Sequence, residues 1–100
     1  MRASWKGQVI AESDDIVRVE GNAYFPQESL NDRFFADTDH HSICPWKGRA
    51  SYLDVVVDGE RNEKAAWYYP KPFPLARRIK GRVAFWNGVK IEEVDVKRAG

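Results

Sequence analysis

The sequence predicts an all-β protein, a single small antiparallel barrel or sandwich of about seven short strands with one or two single-turn helices. Short runs of β-branched and aromatic residues recur along the chain, and turn residues separate them at intervals of roughly 8 to 12 positions. Segments with helical character amount to single turns. The 100 residues suffice for one hydrophobic core and are too few for two, so we expect one domain over residues 1–100.

Composition and charge narrow the class of protein. Hydrophobic residues make up 43% of the chain and charged residues 31%, as in proteins that fold alone. The net charge is +1, so no overall field attracts nucleic acid or a membrane surface. A single cysteine, no signal-peptide core and no apolar run of membrane-spanning length predict a cytoplasmic protein. We expect a monomer or weak dimer, with no cofactor and with a small-molecule ligand as its partner.

The first quarter of the chain predicts a hairpin. Residues 1–7 show no period and are expected to be frayed. Residues 8–12 and 16–20 are short apolar runs, and the Ser-Asp-Asp sequence at 13–15 is typical of a turn, because these side chains bond their own backbone. The two runs are therefore predicted to pair with each other.

A second turn and a change in composition follow. Gly-Asn at 21–22 tolerates the positive φ of a tight turn, and residues 23–25 are predicted to return as a third strand. Pro26 ends that strand, and residues 26–30 favour one helical turn, with proline first and an acid in the first turn. Residues 31–43 are mostly polar and are predicted to form a surface loop anchored by two phenylalanines.

The middle of the chain contains the strongest strand signal. Residues 50–57 have apolar side chains on both faces, which predicts a central strand. Asp-Gly at 58–59 is a turn signal, and the polar residues 60–64 are predicted to form a loose loop. Residues 65–69 are a second strand, which Pro70 ends, and the two strands should form a hairpin.

The last third of the chain combines prolines with a final hairpin signal. Residues 70–74 contain three prolines that cannot donate backbone hydrogen bonds, so a stiff crossover outside any sheet is predicted, followed by one helical turn at 75–78. Residues 82–86 and 89–94 flank Asn-Gly at 87–88, the preferred pair for a type I′ turn. This sequence predicts a hairpin.

The densest chemistry is Cys-Pro-Trp-Lys-Gly at residues 44–48. Nearby positive charge favours a reactive thiolate and a histidine can act as its base, so Cys44 near His40, His41 and Lys47 is a candidate nucleophile. The favoured interpretation is that Cys44 is a small apolar side chain where the chain enters the sheet. A zinc site on the two histidines and Cys44 is disfavoured, because adjacent side chains of an extended chain point apart.

Three carboxylates form a second candidate set. Asp37, Asp39 and Asp54 have the outline of a group that holds Mg²⁺ for phosphoryl or nucleotidyl transfer. The chain has no Gly-rich phosphate-binding loop beside them. The favoured interpretation of Asp-Thr-Asp at 37–39 is a turn whose side chains bond the backbone, which leaves no metal site.

Several motifs resemble the small bacterial DUF427 family, over about residues 7–94. The motifs lie, in order, at residues 24–26, 38–52, 66–72 and 79–86. The resemblance implies a single all-β domain whose biochemical role is unassigned, in a family that carries a nucleotidyltransferase label. It also implies a set of family positions, which are Tyr24, Pro26, Cys44, Lys47, Gly48, Tyr52, Trp67, Tyr69 and Pro70.

Three functions are open at this point. The leading hypothesis is a binding module in which Tyr24, Cys44, Lys47, Tyr52 and Trp67 surround a shallow polar-aromatic pocket for a small ligand, with charge from the lysine and stacking from the aromatic rings. The second is an enzyme, nucleotidyltransferase-like and metal-dependent, or dependent on the Cys44 thiol. The third is a structural or interaction domain in which the same residues hold the fold.

Overall fold

Short antiparallel strands dominate the computed structural model, which describes residues 1–93. The nine strands of this part are β1 (Arg2–Trp5), β2 (Gln8–Glu12), β3 (Val17–Val19), β4 (Asn22–Tyr24), β5 (Phe35–Cys44), β6 (Gly48–Val57), β7 (Glu60–Tyr68), β8 (Val83–Phe85) and β9 (Lys90–Glu92). Short 3-10 segments lie at Gln27–Ser29, Asp32–Phe34 and Pro74–Ile79. The all-β prediction is confirmed, with more strands than expected. None of the helical segments within residues 1–93 has the length and apolar composition needed to cross a membrane.

The strands form three antiparallel sheets. Their strand orders are β2-β1-β9, β3-β4 and β5-β6-β7-β8. The β3-β4 hairpin is attached to β8 by a pair of backbone hydrogen bonds between Phe25 and Val83, at 2.8 and 2.9 Å. Over the described residues no sheet closes on itself, so the barrel alternative is not what forms.

The hydrophobic core lies in two layers, one on each face of the four-stranded sheet. The larger cluster includes Phe25, Val55 and Phe85 and packs against the β2-β1-β9 sheet. The smaller cluster consists of Tyr24, Ala50, Tyr69, Ala76, Ile79 and Ala84. Neighbouring residues such as Tyr24 and Phe25 fall in different clusters, because successive side chains of a strand point to opposite faces. The segment after the prolines covers the smaller cluster through Ala76 and Ile79.

A bulge in β7 interrupts its pairing with the central strand β6. Leu53 pairs with Ala66 and Val55 pairs with Asn62, so four steps along β7 match two steps along β6. Lys64, inside the bulge, has a φ of 57°. Bulges bend and twist the strand that contains them and redirect its side chains. The predicted loose loop at residues 60–64 is therefore wrong, because these residues continue the strand through a bulge.

The carboxylate of Asp54 closes this bulge. It accepts a hydrogen bond from the backbone N–H of Lys64 at 2.8 Å and pairs with the Arg61 guanidinium. The residue is 7% exposed. Since a buried backbone N–H needs an acceptor, Asp54 satisfies the donor that the bulge removes from the strand ladder.

A second bulge lies on the other side of β6, in β5. Asp37 pairs with Leu53 and His41 with Ser51, so β5 also takes four steps against two. The sequence predicts a loop over residues 31–43, and this prediction is wrong. Residues 35–44 form an edge strand whose side chains are mostly exposed, so its sequence has no apolar period.

The turns predicted at 58–59 and 87–88 are both present, but the strands on either side of the second turn do not pair with each other. Asp58 and Gly59 both have positive φ and join β6 to β7 directly. Asn87 and Gly88 also have positive φ, but the strands on either side diverge. β8 pairs with β7, and β9 pairs with β1, so the predicted final hairpin is wrong. Its last residue, Val94, lies outside the described residues.

The beginning of the chain also differs from expectation. Residues 2–5 are strand β1 and not a frayed segment, and β1 pairs with β2 through the turn at Lys6 and Gly7, which both have positive φ. The predicted pairing of 8–12 with 16–20 is wrong, because β3 pairs with β4 instead. The helical turns predicted at 26–30 and 75–78 are present as 3-10 segments.

Replacing Asp54 tests its role in the bulge. Asp54→Ala should lower the free energy of unfolding by about 2 kcal/mol, because the Lys64 N–H loses its acceptor. Asp54→Asn, which keeps an acceptor oxygen, should lose less. Urea denaturation measures both. Asp39→Ala, at an exposed acid of the β5 bulge, is the matched control and should change stability by less than about 0.5 kcal/mol. Equal losses at positions 54 and 39 would contradict this role.

Candidate functional site

A tight turn between β5 and β6 places Lys47 beside the sheet. Cys44 pairs with Gly48, so three residues make the connection. Gly48 has a φ of +112°, and a Cβ there would meet backbone atoms of residues 71–73 at 3.4–3.5 Å. The Phe73 N–H donates to the Lys47 carbonyl at 3.0 Å. The turn is therefore pressed against the proline segment, and the Lys47 residue is only 6% exposed.

The buried ammonium of Lys47 has a defined set of partners. It donates a hydrogen bond to Glu20, at the β3-β4 turn. The same carboxylate accepts a hydrogen bond from the Trp46 indole N–H at 3.1 Å. The Lys47 Nζ also lies 5.6 Å from the centroid of the Tyr69 ring and 5.7 Å from that of Trp46. Charge pairing and two cation–π contacts thus hold the ammonium in place.

These contacts shift three pKa values. Burial lowers the pKa of Lys47, but the hydrogen bond to Glu20 and the phenol groups of Tyr24 and Tyr69 outweigh burial and hold it above its ordinary value. Hydrogen bonds from Lys47 and Trp46 lower the pKa of Glu20. Burial raises the pKa of Tyr69 against the opposing effect of Lys47. At neutral pH the lysine is charged, and the Tyr69 hydroxyl keeps its proton.

A cleft of about 220 Å³ opens beside this lysine. It is lined by Lys47, Tyr52, Trp67, Tyr69 and Trp86, which we call the aromatic cleft. The two tryptophans supply indole surface, and Trp86 is 53% exposed. The cleft therefore combines one fixed positive charge with flat apolar walls and phenol groups, a set of groups suited to a planar ligand with a hydrogen-bond acceptor.

The tryptophan walls are fixed from behind. Trp67 meets the Tyr24 ring edge to face at 6.4 Å and the Trp86 ring edge to face at 6.1 Å. The Trp67 indole N–H donates to the Tyr24 hydroxyl at 3.2 Å. The Trp86 indole N–H donates to the carbonyl of Lys64, in the β7 bulge. Hydrogen bonds at both indole N–H groups set the orientation of the walls before any ligand arrives.

Strand β5 fixes Tyr52 in a similar way. The Thr38 hydroxyl donates to the Tyr52 carbonyl at 2.8 Å, and the Tyr52 hydroxyl is hydrogen-bonded to Ser42 Oγ at 2.9 Å. Thr38 lies in the β5 bulge. Each bulge therefore contributes a hydrogen bond to one wall of the aromatic cleft, the β5 bulge to Tyr52 and the β7 bulge to Trp86.

The structure brings together the five side chains predicted for a ligand pocket, but at different depths. Lys47, Tyr52 and Trp67 line the aromatic cleft. Tyr24 is fully buried and supports Trp67 from behind. Cys44 is half-buried and packs against the smaller core cluster, close enough to raise the pKa of Tyr69. Only the first three line the cleft.

Two residues of the cleft were not among the predicted site residues. Tyr69 lies two positions after Trp67, and period-2 alternation places the two side chains on one face. The spacing of Trp67 and Tyr69 therefore indicates that Tyr69 belongs with the predicted site residues. Trp86 follows β8 immediately, and no local pattern indicates that it lies beside Trp67, because the two come together only when β7 and β8 pair.

The three carboxylates proposed from sequence do not form a metal site. Asp37 pairs with Leu53 and Asp39 is exposed in the β5 bulge. Asp54 is occupied by Arg61 and the Lys64 N–H. Within residues 1–93, no three His, Cys, Asp or Glu side chains are grouped so as to hold a metal ion. The residues present therefore do not fit a Mg²⁺ site of the kind that nucleotidyl transfer uses.

The ion pair of the site predicts a pH-dependent stability difference. Glu20→Gln should lower the melting temperature at neutral pH, because the buried Lys47 ammonium loses its carboxylate. The pKa of Glu20 is lowered when folded, so its stabilisation is present above the ordinary value of 4.5 and is lost as the pH falls through the lowered value. The difference in melting temperature between wild type and variant should therefore shrink in acid. It should also shrink in strong alkali, as the pH rises through the raised pKa of Lys47.

Melting curves recorded by circular dichroism from about pH 3 to about pH 7 test the acid limb. Glu28→Gln is the matched control, since Glu28 is an exposed acid with no ion pair among the described residues. A difference that persists unchanged in acid, or equals that of Glu28→Gln at neutral pH, would show that Glu20 does not hold Lys47.

Comparison with known proteins supplies a family and no functional relative. No curated protein matches the chain. A family model described as "Domain of unknown function (DUF427)", with the short name NTP_transf_9, matches residues 1–99. The match covers nearly the whole chain and confirms the resemblance seen in the motifs. The chain thus belongs to the DUF427 family.

Proposed function

We propose that this protein binds a small planar ligand, with one ring and one acceptor group, in the aromatic cleft. The observation that carries the proposal is a buried lysine held at the edge of a cleft whose other walls are Tyr52, Trp67, Tyr69 and Trp86. A side chain as costly to bury as lysine is retained there with its charge. A buried ammonium contributes most to the free energy of binding when its free N–H groups donate to an acceptor on the ligand.

The size of the cleft limits the ligand. Its volume of about 220 Å³ is below the lower end of drug-sized pockets, which begin at about 300 Å³. A single aromatic ring with a carboxylate or carbonyl fits this volume, whereas a dinucleotide does not. The ring lies against the indoles, where stacking contributes about 1 kcal/mol beyond burial.

The charges of the cleft favour an anionic acceptor. Lys47 has three N–H donors and uses one for Glu20, so two remain for a ligand. The Tyr69 hydroxyl, protonated at neutral pH, is a further donor. Because Glu20 already balances the lysine charge, the preference for an anion comes from these hydrogen-bond donors, and a ligand with more than one negative charge is disfavoured by the Glu20 carboxylate.

Neither enzyme alternative gains a supporting observation. The metal-dependent form needs carboxylates that are free to bind an ion, and the Asp54 carboxylate is already paired with Arg61 and the Lys64 N–H. The thiol-dependent form needs Cys44 to face the cleft, and Cys44 is not among the residues that line it. Ligand binding is therefore the function we propose.

A set of four matched probes tests the proposal. Benzoate has the ring and the negative charge, benzamide keeps the ring and a neutral acceptor, benzylammonium reverses the charge, and cyclohexanecarboxylate keeps the charge without a flat ring. We expect benzoate to bind with a Kd of about 1 mM, benzamide and cyclohexanecarboxylate more weakly, and benzylammonium not at all. Tryptophan fluorescence and thermal shift measure binding, since Trp67 and Trp86 line the cleft.

Variants separate binding from a purely structural role. Trp86→Ala should weaken benzoate binding about tenfold with little loss of stability, because the side chain is half-exposed. Lys47→Met should remove the preference for benzoate over benzamide. Leu75→Ala, at a residue that is 85% exposed and outside the cleft, is the control and should bind as wild type. Loss of stability in the cleft variants, with no response of the wild type to any probe, would support the structural alternative instead.

A further inference from the structure

A second cavity lies on the other side of strand β6. It has a volume of about 420 Å³ and is lined by His41, Arg49, Ser51, Pro70 and Lys71, which we call the Arg49 cavity. Arg49 and Ser51 alternate along β6 with Ala50 and Tyr52, whose side chains face the smaller core cluster and the aromatic cleft. Because alternate residues of a strand point to opposite faces, the two cavities open on different sides of the sheet.

The charge of the Arg49 cavity is unbalanced. Arg49 and Lys71 both line it, and neither forms an ion pair with any residue of the described chain. No acid is among the lining residues. The cavity beside Pro26 is different, because Asp15 and Glu28 line it together with its basic residues. Two positive charges at one concavity, with no carboxylate among its walls, favour an anion there.

Two further hydrogen-bonding side chains complete the lining. His41 and Ser51 are paired across β5 and β6, with His41 Nδ1 at 3.2 Å from Ser51 Oγ. The Nε2 atom of His41 has no hydrogen-bond partner among residues 1–93. The cavity therefore offers a guanidinium, an ammonium, a hydroxyl and a ring nitrogen, a set suited to an anion with several oxygens.

The backbone around the two basic residues is held firmly. Gly48, next to Arg49, packs against the backbone of residues 71–73, and Pro70 and Pro72 flank Lys71. The Phe73 N–H is bonded to the Lys47 carbonyl at 3.0 Å. Proline also restricts the residue that precedes it, here Lys71. The backbone positions of the two basic residues are thus set by the packing of the turn, while their exposed side chains remain available to a ligand.

We infer that the Arg49 cavity binds the phosphate group of a small phosphorylated molecule. A phosphate monoester has a charge between −1 and −2 at neutral pH, which matches the two basic side chains, and its oxygens match the fork of the arginine. A carboxylate would leave one positive charge unbalanced. The volume of about 420 Å³ exceeds that of a phosphate and lies in the range of small-molecule sites, which leaves room for an organic group.

This site is separate from the aromatic cleft. A nucleotide whose ring occupied the cleft would have to pass around β6 for its phosphate to reach Arg49. The two sites therefore take different ligands, and each proposal can fail without the other.

Titration with glycerol phosphate and with inorganic phosphate, at constant ionic strength, tests the inference. Amide chemical shifts of Ser51 and Lys71 in ¹H–¹⁵N spectra report binding at the cavity. We expect saturable shifts at these amides with a Kd of about 1 mM for glycerol phosphate, and weaker binding of inorganic phosphate, which lacks the organic group. Equal or tighter binding of inorganic phosphate would overturn the monoester as the ligand. Absence of saturable shifts with both probes would overturn the site itself.

Matched double variants identify the residues responsible. Arg49→Gln with Lys71→Gln should weaken glycerol phosphate binding at least tenfold, whereas Arg77→Gln with Lys80→Gln, which removes the same charge from exposed residues elsewhere, should leave it within about twofold of wild type. Equal weakening by both pairs would show a general effect of net charge and overturn the site. Trp86→Ala, which alters the aromatic cleft, should retain phosphate binding.

Discussion

The hydrogen bond from the Lys64 N–H to the Asp54 carboxylate is the contact on which the aromatic cleft depends. It stabilises the β7 bulge, and the carbonyl of the same Lys64 accepts a hydrogen bond from the Trp86 indole N–H. Trp86 in turn packs edge to face on Trp67. A buried acid in the middle of an apolar strand invites a catalytic or metal-binding interpretation. Here Asp54 accepts a hydrogen bond from the Lys64 N–H, which the bulge has removed from the strand pairing, and the position of Trp86 depends on this bulge.

Strand β6 separates two different kinds of chemistry. On one side, Lys47 is buried, paired with Glu20 and surrounded by aromatic rings. On the other side, Arg49 and Lys71 are exposed and unpaired within the described residues. A balanced buried charge among rings selects a ligand by shape, stacking and donor geometry. Unbalanced surface charge selects it by electrostatics, which salt weakens. The DUF427 family has no assigned function, and the two sites are where we propose that ligands bind.

Two turns and the β3-β4 and β6-β7 hairpins are predicted from the sequence, whereas the pairing of the two ends of the chain is not. Asp58-Gly59 and Asn87-Gly88 form turns with positive φ because aspartate, asparagine and above all glycine adopt that conformation at low cost. After Asn87-Gly88, however, the chain leaves β8 and pairs with β1, from the opposite end of the sequence. Strand β5 escapes prediction because an exposed edge strand needs no apolar period. The edge position itself is set by the neighbours that the strand receives on folding.

The sequence alone determined the all-β class, the central strand, the turn pairs and a cluster of aromatic residues near Lys47. Each of these follows from the conformational preferences of short segments or from period-2 patterns. The tertiary structure decided which of those residues line a cleft. Trp86 lines the cleft because β7 pairs with β8. Tyr24 and Cys44 pack in the core behind the cleft, and Asp54 is hydrogen-bonded to the backbone of the β7 bulge. The reason is physical, because a side chain's partners are set by burial and long-range pairing, and neither is encoded in its immediate neighbours.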